Sequence, residues 1–481
     1  MVQEVQHFAI VVVGAGSGGL VVAIGAAKAG KRVLLIEKGK YGGDCTNYGC
    51  IPSKSTIASA HTAKEFLQSE AVGIIHSCDR FDAGKALERT RSIVSEIRSH
   101  EEPDALKEHG VETLTGEASF IDTDILEVRV EDGTTVCVTG DHIVLATGSH
   151  PRIPEIEGIE AVDVMTNETV FDMKTVPKSL IVVGGGPIGC ELAQAYHRLG
   201  SKVSVVHRHE HVLNKEEKYA QEVIESVFLD EGINLYTGYL PTSITQVGEL
   251  LQLQLSHREG KKTIEATHLL VSSGRIPNIS SLNLDNAGIK YTDREINVDK
   301  YGKTTNPKVW AVGDVAGRAM FTHLAENEAR SVLTSILLPG IFKKKLDRNQ
   351  ALPRVTYTDP EVASLGLSEE QAIEKYGKRR IATYLVSMKD VDRAITAGRT
   401  EGFVKIVTKR WSSKILGAVI VAPRAGEMLM EIAVAMYGGI PLKKLASVIH
   451  PYPTYSLAIR KAADMWLTQT ILPFLKSFIP K

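Results

Sequence analysis

The apolar residues of this chain occur in short continuous runs, and several runs are followed by a glycine-rich turn and a stretch with helical periodicity. Residues 9–13 are apolar and mostly β-branched, which is the pattern of a strand buried on both faces of a parallel sheet. Helical periodicity follows over 20–29, and 31–36 repeats the strand pattern. The same order recurs over 180–206. This alternation predicts βαβ units and an α/β fold.

The turn after the first strand has the spacing of a dinucleotide-binding fingerprint. Gly14 allows a tight turn, Gly16 lets the backbone approach a pyrophosphate, and Gly19 lets the helix pack on the strand. The N-terminus of that helix then faces the phosphates. Glu37 ends the next strand, where a carboxylate can bind the hydroxyls of a ribose. We therefore predict a first dinucleotide site here.

A second fingerprint, at Gly184, Gly186 and Gly189, follows the strand pattern of 180–183. Two complete fingerprints predict two dinucleotide cofactors. The next strand ends in His207-Arg208-His209 rather than in an acid. Since a cation at that place accommodates the 2′-phosphate of NADP, we predict NADPH rather than NADH. Arg208 is expected to be the main contact and His209 the secondary one.

Residues 42–54, between the two fingerprints, have the sequence GGDCTNYGCIPSK. Cys45 and Cys50 are close enough in the chain to form an intramolecular disulfide if the loop between them turns. Beside a bound flavin such a pair can take two electrons and pass them on by thiol–disulfide exchange. The alternative interpretation is a pair of free cysteines in a loop.

Further along the chain, a strand pattern is followed by Gly313-Asp314. An acid just past the carboxyl end of a strand lies where open α/β sheets bind ligands. The first cofactor domain is therefore predicted to be split around the second. Beyond about residue 351 the strands and helices are longer and carry no fingerprint. The predicted division is a FAD-binding domain over 1–152 and 280–347, an NAD(P)H-binding domain over 153–279, a dimerisation domain over 348–465, and an apolar tail over 466–481.

The composition argues against several classes of protein, namely nucleic-acid-binding, disulfide-rich secreted and membrane-spanning proteins. The chain has 481 residues, is 43% hydrophobic and 23% charged, and has a formal net charge of −1, so no global field favours nucleic acid. Five cysteines are too few for a secreted disulfide framework. The N-terminus lacks a signal-peptide pattern and no apolar run reaches the length of a membrane span. A cytoplasmic protein is the expectation.

The cysteine block, the two fingerprints, Ala-Thr-Gly at 146–148 and Gly313-Asp314 together resemble the flavoprotein disulfide reductases, the class I pyridine nucleotide-disulfide oxidoreductases. Dihydrolipoamide dehydrogenase, glutathione reductase and mercuric reductase belong to that family. The resemblance covers about residues 7–465. It implies two Rossmann-like dinucleotide-binding domains, a C-terminal α+β dimerisation domain, FAD at the first fingerprint, and a homodimer in which each active site is completed by the partner's C-terminal segment.

The resemblance also implies roles for individual residues. Cys50 would be the thiol against the flavin and Cys45 the outer, interchange thiol. Lys54 would lie near flavin N5 with Glu191 as its acidic partner. The catalytic residues predicted in this way are Cys45, Cys50, Lys54, Glu191 and Tyr452. The predicted cofactor-binding residues are Gly14, Gly16, Gly19, Glu37, Lys38, Gly43, Thr147, Gly148, Gly184, Gly186, Gly189, Arg208, His209, Gly274, Arg275, Gly313 and Asp314, with Glu37 on the adenosine ribose and Asp314 on the ribityl chain. No metal site is predicted.

The C-terminal segment departs from two of those relatives. Dihydrolipoamide dehydrogenase and glutathione reductase have His-Pro-Thr there, with a Glu five residues after the His, and the pair serves the interchange thiol as acid and base. Aligning on Pro-Thr puts Tyr452 at the His position and Leu457 at the Glu position. Shifting the frame to His450 puts Tyr455 at the Glu position. A Tyr with an unperturbed pKa of ~10 is a poor proton shuttle near pH 7, and a Tyr at this place is similar to mercuric reductase.

Three functions follow as hypotheses. The first is an NADPH-dependent FAD oxidoreductase that reduces a disulfide or thiol-bound acceptor through Cys45 and Cys50. The second is a mercuric-type metal-ion reductase, although the chain has no cysteine after Cys190. The third is a flavoprotein that passes electrons to a specific protein or quinone. The tail, with apolar residues at helical spacing around Pro473, is expected to pack across the dimer or to contact a membrane surface.

Overall fold

The computed structural model describes residues 5–75, 81–338, 340–346 and 351–477, and Cys78 lies outside these ranges. The elements of the first segment are β1 (Val5–Val13), α1 (Ser17–Lys28), β2 (Val33–Glu37), α2 (Gly43–Asn47), α3 (Cys50–Leu67), α4 (Ala83–Ser99), α5 (Pro103–Glu108), β3 (Val111–Thr115), β4 (Glu117–Phe120), β5 (Ile125–Arg129), β6 (Thr135–Leu145) and β7 (Ser149–Pro151). The next segment contains β8 (Val164–Met165), β9 (Ser179–Val183), α6 (Pro187–Arg198), β10 (Lys202–His207), α7 (Lys218–Glu231), β11 (Asn234–Thr237), β12 (Leu240–Val247), β13 (Leu250–His257), β14 (Gly260–Ala266), β15 (His268–Val271) and β16 (Arg275–Pro277).

The remaining elements are β17 (Val309–Ala311), α8 (Thr322–Leu337), β18 (Arg354–Thr356), β19 (Glu361–Gly366), α9 (Glu369–Tyr376), β20 (Ile381–Ser387), α10 (Asp392–Thr396), β21 (Phe403–Lys409), β22 (Ile415–Ala422), α11 (Ala425–Tyr437), α12 (Leu442–Leu445), α13 (Leu457–Met465) and α14 (Leu472–Lys476). A π-helical stretch, Trp466–Ile471, joins α13 to α14. The wider turn lies just before Pro473, which has no N–H to donate and whose ring would crowd a regular helix.

The first sheet has the strand order β3-β2-β1-β6-β5-β4, and β17 also pairs with β6. Strands β3, β2, β1, β6 and β17 pair in parallel, whereas β4 and β5 form an antiparallel layer with the first half of β6. Because β17 follows the second segment in the chain, this sheet is built from residues on both sides of that segment. The continuous apolar run of β1 is explained by burial on both faces: Val12 packs in one core cluster and Val11 in another.

The second sheet, β11-β10-β9-β15-β8, is fully parallel, and β12, β13 and β14 form a separate antiparallel sheet beside it. Strand β9 is also buried on both faces, with Val182 on one side and Val183 on the other. The third sheet, β18-β19-β22-β21-β20, is antiparallel, and α11 and α13 cover one of its faces. The predicted fold class, two Rossmann-like units with a C-terminal α+β domain, is confirmed.

Candidate active site

The first fingerprint folds as a tight strand–turn–helix. Gly14 has a φ of 104°, and a Cβ on Gly19 would lie 1.8 Å from the carbonyl oxygen of Gly14, so a side chain there would force the helix off the strand. The carboxylate of Glu37 accepts hydrogen bonds from the backbone N–H of Ala15 (2.7 Å) and of Gly39 (2.9 Å). The acid at the end of β2 is therefore fixed beside the glycine turn, where it could contact the ribose of a bound dinucleotide.

The cysteine block lies directly against this turn. Gly42 donates its N–H to the carbonyl of Ala15 (3.0 Å). A Cβ on Gly43 would lie 2.5 Å from the Cα of Gly16, so the two glycines allow a contact between backbones that no side chain would permit. The short helix α2 then carries Cys45, and Cys50 begins α3. Long-range packing thus places both thiols next to the loop where a dinucleotide would bind.

The two thiols lie in different electrostatic environments. Both are free, and they are hydrogen-bonded to each other. The hydroxyl of Thr322, the first residue of α8, lies 3.5 Å from the Cys50 sulfur. The hydrogen bond from Cys45, with that of Thr322 and the charge of Lys54, lowers the pKa of Cys50 to about 6 against the opposing effect of burial. The same hydrogen bond, together with burial, raises the pKa of Cys45. The two pKa values are therefore shifted in opposite directions, which favours the thiolate on Cys50 and the proton on Cys45.

Lys54 lies one turn along α3 from Cys50 and is held by residues of two other segments. Its Nζ is 2.9 Å from Glu191 Oε2 and 4.3 Å from the ring centroid of Tyr357. The other oxygen of Glu191 accepts the backbone N–H of Tyr357 (2.9 Å), and the carboxylate side chain is only 6% exposed. Burial lowers the pKa of Lys54, but Glu191 outweighs it and the net shift is upward. Glu191 and Tyr357 therefore fix the Lys54 ammonium group near Cys50, whose pKa that positive charge lowers.

Asp314 and the cysteine block are joined by a chain of polar side chains. The hydroxyl of Ser149 donates to Asp314 (2.5 Å) and accepts from Nε of Arg275 (2.7 Å). The guanidinium of Arg275 also lies 3.0 Å from the carboxylate of Asp44, to which Asn167 donates a second hydrogen bond (3.0 Å). Burial raises the pKa of Asp314. Asp44, Ser149 and Asn167 were not singled out from the sequence; only the position of Asp44 beside Cys45 hinted at a role.

Among the other predicted FAD residues, Thr147, Gly148 and Gly313 follow two strands of the first sheet. Thr147 donates its hydroxyl to the carbonyl of Asn278 (2.7 Å), and Gly148 and Gly313 have φ values of 67° and 74°. These residues follow the carboxyl ends of β6 and β17, which are adjacent in the sheet. Lys38 instead is an exposed residue 4.0 Å from Glu117.

The second fingerprint repeats the geometry of the first. Gly184 has a φ of 124°, and a Cβ on Gly189 would lie 1.8 Å from its carbonyl oxygen, while Gly186 precedes the first turn of α6. Gly274, with a φ of 125°, follows β15 at the same edge of the sheet. His207 accepts the N–H of Gly185 (3.0 Å), and burial lowers its pKa to about 4, so it is a neutral part of the scaffold.

A cavity of about 460 Å³ opens next to the end of β10. Its lining residues are Arg208, Glu210, His211, Thr237, Gly238, His257 and Arg258. Nε of Arg208 is 3.3 Å from the ring of His209. Arg258 comes from the turn after β13, about 50 residues further along the chain, and sequence reasoning missed it because only the folded hairpin brings it to Arg208.

The polar side chains of the C-terminal segment have their hydrogen-bond partners outside the cysteine block of the same chain. Tyr452 is 73% exposed and donates its hydroxyl to Asp392 (2.9 Å), which raises its pKa. His450 has an acidic partner that neither alignment frame contains: its Nε2 lies 2.9 Å from Glu431 of α11, and its Nδ1 lies 3.0 Å from the carbonyl of Val448. Both nitrogens of His450 and the hydroxyl of Tyr452 thus have partners within the C-terminal domain.

Comparisons with family models, known sequences and solved structures all indicate the same protein family. Residues 8–329 match the pyridine nucleotide-disulphide oxidoreductases, and 352–463 match their dimerisation domain, which supports a homodimer. A mercuric reductase of Streptomyces lividans is 34% identical, covering 96% of this chain and 97% of its own length. A dihydrolipoyl dehydrogenase of Geobacillus stearothermophilus is also 34% identical, covering 95% of each chain. The solved Cu(II) complex of the HOCl-induced flavoprotein disulfide reductase RclA from Escherichia coli aligns with a TM-score of 0.86 at 27% identity, over 96% of this chain and 99% of that one.

Proposed function

Because the chain belongs to the pyridine nucleotide-disulphide oxidoreductase family, we propose that it transfers electrons from NADPH, by way of FAD, to the Cys45–Cys50 disulfide and from there to a disulfide acceptor. In each turnover NADPH and a proton are consumed, NADP⁺ is released, and the acceptor disulfide leaves as two thiols. When bound, FAD would accept a hydride from the nicotinamide and supply an electron pair to the protein disulfide.

The observation that carries this proposal is the difference between the two thiols. Cys50, with its lowered pKa, lies beside Lys54 and the N-terminus of α8, and these surroundings favour a thiolate. Cys45, whose pKa is raised, keeps its proton and can accept or give it during exchange with an external sulfur. If the two thiols had the same pKa and the same surroundings, neither could be assigned as the inner or the outer thiol.

Lys54 and Glu191 are proposed to hold a positive charge at the inner thiol. The 2.9 Å ion pair and the Tyr357 contacts fix the ammonium group on one side of α3. That charge would stabilise the thiolate of Cys50 and also any negative charge that develops on a reduced cofactor in the same place.

An anaerobic titration with NADPH tests the redox role of the cysteines. The expected result is a long-wavelength absorbance band, from thiolate in contact with oxidised flavin, after the first equivalent. The band should be absent in Cys50→Ser, which lacks the inner thiolate. In Cys45→Ser the inner thiol cannot be part of a disulfide, so the band should be present before NADPH is added. One equivalent of NADPH should then bleach both the flavin and the band in that variant, because no disulfide is left to take the electrons.

Cys137→Ser is the matched control, since that thiol is buried in β6. Complete bleaching of the flavin by one equivalent of NADPH in the unmodified protein, without the long-wavelength band, would exclude the disulfide from the electron path.

The preference for NADPH is proposed from the charges that line the cavity beside β10. Arg208 and Arg258 face it from two different elements, and the acid that would hydrogen-bond the 2′-hydroxyl of NADH is replaced by His207-Arg208-His209. Glu210 is the one carboxylate among the lining residues. Equal steady-state efficiency with NADPH and NADH would contradict this preference.

A mercuric-type metal-ion reductase is the second candidate. It is favoured by the exposed side chain of Tyr452 and by two neighbouring thiols, since thiolates bind soft metal ions. NADPH oxidation driven by mercuric ion with excess small thiol, compared with lipoamide and glutathione disulfide, separates the two reactions. Faster turnover with any disulfide than with the metal ion would favour the first function.

A further inference from the structure

Charge is distributed unevenly along this nearly neutral chain. Residues 351–481 contain 19 Lys and Arg against 11 Asp and Glu, a net charge of +8. Residues 1–350 contain 37 Lys and Arg against 46 Asp and Glu, a net charge of −9. The overall charge of −1 therefore conceals a strongly basic C-terminal domain, whose field would attract an anionic surface.

The same domain exposes a set of large apolar side chains at its C-terminus, which we call the tail surface. Its members are Trp411 (53% exposed), Leu467 (49%), Leu472 (41%), Phe474 (44%) and Leu475 (51%). Trp411 projects from the turn between β21 and β22 and meets Phe474 edge-on, with 4.9 Å between the ring centroids. A contiguous group of this kind marks an interaction site more often than a scattered exposed Leu does.

The tail surface is held in place by buried polar contacts on the opposite side of the helix. The hydroxyls of Tyr384 and Thr470 are 2.8 Å apart in the core, and Trp466 Nε1 donates to the carbonyl of Arg410 (2.9 Å). These bonds tie the C-terminal helix to β20 and to the β21–β22 turn, so that Leu467 and Leu475 remain outside.

Basic residues lie beside the tail surface, and we call Arg379, Arg380, Arg410 and Lys443 the basic rim. Arg410, next to Trp411, bonds through its N–H and its Nε to the carbonyls of Arg380 and Arg379. Lys443 Nζ lies 5.3 Å from the Trp466 ring centroid. The acidic residues of the neighbouring helices α9 and α13 are Glu369, Glu370, Glu374 and Asp464; Glu369 is paired with Lys405 and Asp464 with Arg460.

We infer that the tail surface and basic rim dock the protein on the surface of an anionic phospholipid bilayer. Aromatic and aliphatic side chains flanked by cations match the boundary between acyl chains and anionic headgroups. A second copy of this chain is less favoured as the partner of the tail surface, because a symmetric contact would bring the two basic rims together and their charges would repel. The contact would be peripheral, since no helix within the described ranges is long and apolar enough to cross a membrane.

Co-sedimentation of the full-length, FAD-loaded protein with vesicles tests this inference. Vesicles of phosphatidylcholine with one-third phosphatidylglycerol should retain about tenfold more protein than pure phosphatidylcholine, and added salt should release it. Arg379→Glu/Arg380→Glu removes charge from the rim, and Trp411→Ser/Phe474→Ser removes aromatic area from the tail surface. Each variant should lower retention about tenfold or more.

Lys28→Glu/Lys31→Glu is the matched control, because it reverses two exposed charges at the end of α1 in the first domain and should leave retention unchanged. FAD content and light scattering show whether each variant is folded and dimeric. Retention equal on neutral and anionic vesicles, no retention on either, or loss of the dimer in the aromatic variant would each overturn the inference. The last result would assign the tail surface to a second copy. None of these outcomes bears on the NADPH-driven reduction of Cys45–Cys50.

Discussion

The sulfur of Cys50 lies 3.5 Å from the Thr322 hydroxyl, and Lys54 projects from the next turn of the same helix. These two groups and the Cys45 thiol act in the same direction on the pKa of Cys50. The lowered pKa of Cys50 therefore depends on Thr322, which is 272 residues away in the chain, as well as on the short spacing between the two cysteines.

Replacing Lys54 tests the electrostatic part of this arrangement. In the reduced protein, the thiolate absorbance of Cys50 should appear with a midpoint at about pH 6, and Lys54→Met should move that midpoint upward by about one pKa unit, because an adjacent cation favours the charged form. The measurement is a pH titration of ultraviolet thiolate absorbance against the Cys50→Ser protein.

Lys64→Met serves as the control for Lys54→Met. Lys64 is on the same helix, about 15 Å further along, and pairs with Glu231. A titration midpoint that Lys54→Met leaves in place would show that the ammonium group does not act on the thiolate.

Arg258 offers a second test at the level of a single residue. Arg258→Ala should raise KM for NADPH about tenfold with little change for NADH, since a hydrogen bond to a charged group contributes roughly 1.5–3 kcal/mol. Lys261→Ala is the matched control, because Lys261 is an exposed cation of the same hairpin that does not line the cavity. An equal rise of KM for NADPH and for NADH would instead indicate that Arg258 has a structural role.

At the scale of elements, the junction of β19 with α11 contains a carboxyl group whose protonation should be linked to stability. Glu361 accepts the N–H of Gly426 (2.9 Å), and burial, opposed by that bond, raises the pKa of Glu361 to about 7. Between about pH 4.5 and 7 the unfolded chain has lost this proton while the folded protein keeps it. Stability from this group is therefore lost as pH rises through that interval.

Glu361→Gln keeps an oxygen for the Gly426 N–H and removes the titration. Between pH 5 and pH 7 the unmodified protein should lose roughly 1–2 kcal/mol of unfolding free energy relative to this variant. Denaturant unfolding of both proteins at the two pH values and one ionic strength gives the difference. Parallel pH profiles would show that Glu361 ionises in the folded protein as it does in the unfolded chain.

Spacing and periodicity were sufficient to predict many elements. The predicted strands over 31–36 and 180–183 correspond to β2 and β9 within two residues at each end. The pairing of His450 with Glu431 was not predictable in the same way. A sequence alignment places the acidic partner at a fixed distance after the His. The acidic partner of His450 instead lies in α11, 19 residues before it in the chain.

At the scale of the whole molecule, we expect the proposed reaction to use a residue from a second chain. Tyr452 is exposed and bonded to Asp392 rather than to the cysteines of its own chain. Helix α11 also exposes Met430, Val434 and Tyr437 (51%, 61% and 82%), an apolar face suited to a partner protomer. We therefore expect Tyr452 to serve the Cys45 of the partner subunit.

Mixed dimers test that expectation. Cys45→Ser and Tyr452→Phe homodimers should each lose activity, the second by about 10²-fold if the hydroxyl moves a proton. A heterodimer of the two has one site with neither change and should regain about half of the unmodified activity. If Tyr452 served its own chain, every site of the heterodimer would carry one change and no activity would return.

The sequence by itself determined the two fingerprints, the cysteine spacing and the α/β class, because glycine conformations, hydrophobic period and short spacings are local properties of the chain. The tertiary structure decided which thiol is the thiolate, which residues join Asp314 to Asp44, and that Arg258 stands beside Arg208. It also placed the basic rim beside the tail surface. Each of these depends on side chains from distant segments meeting in space, and their distances are set by how sheets and helices pack rather than by any local pattern.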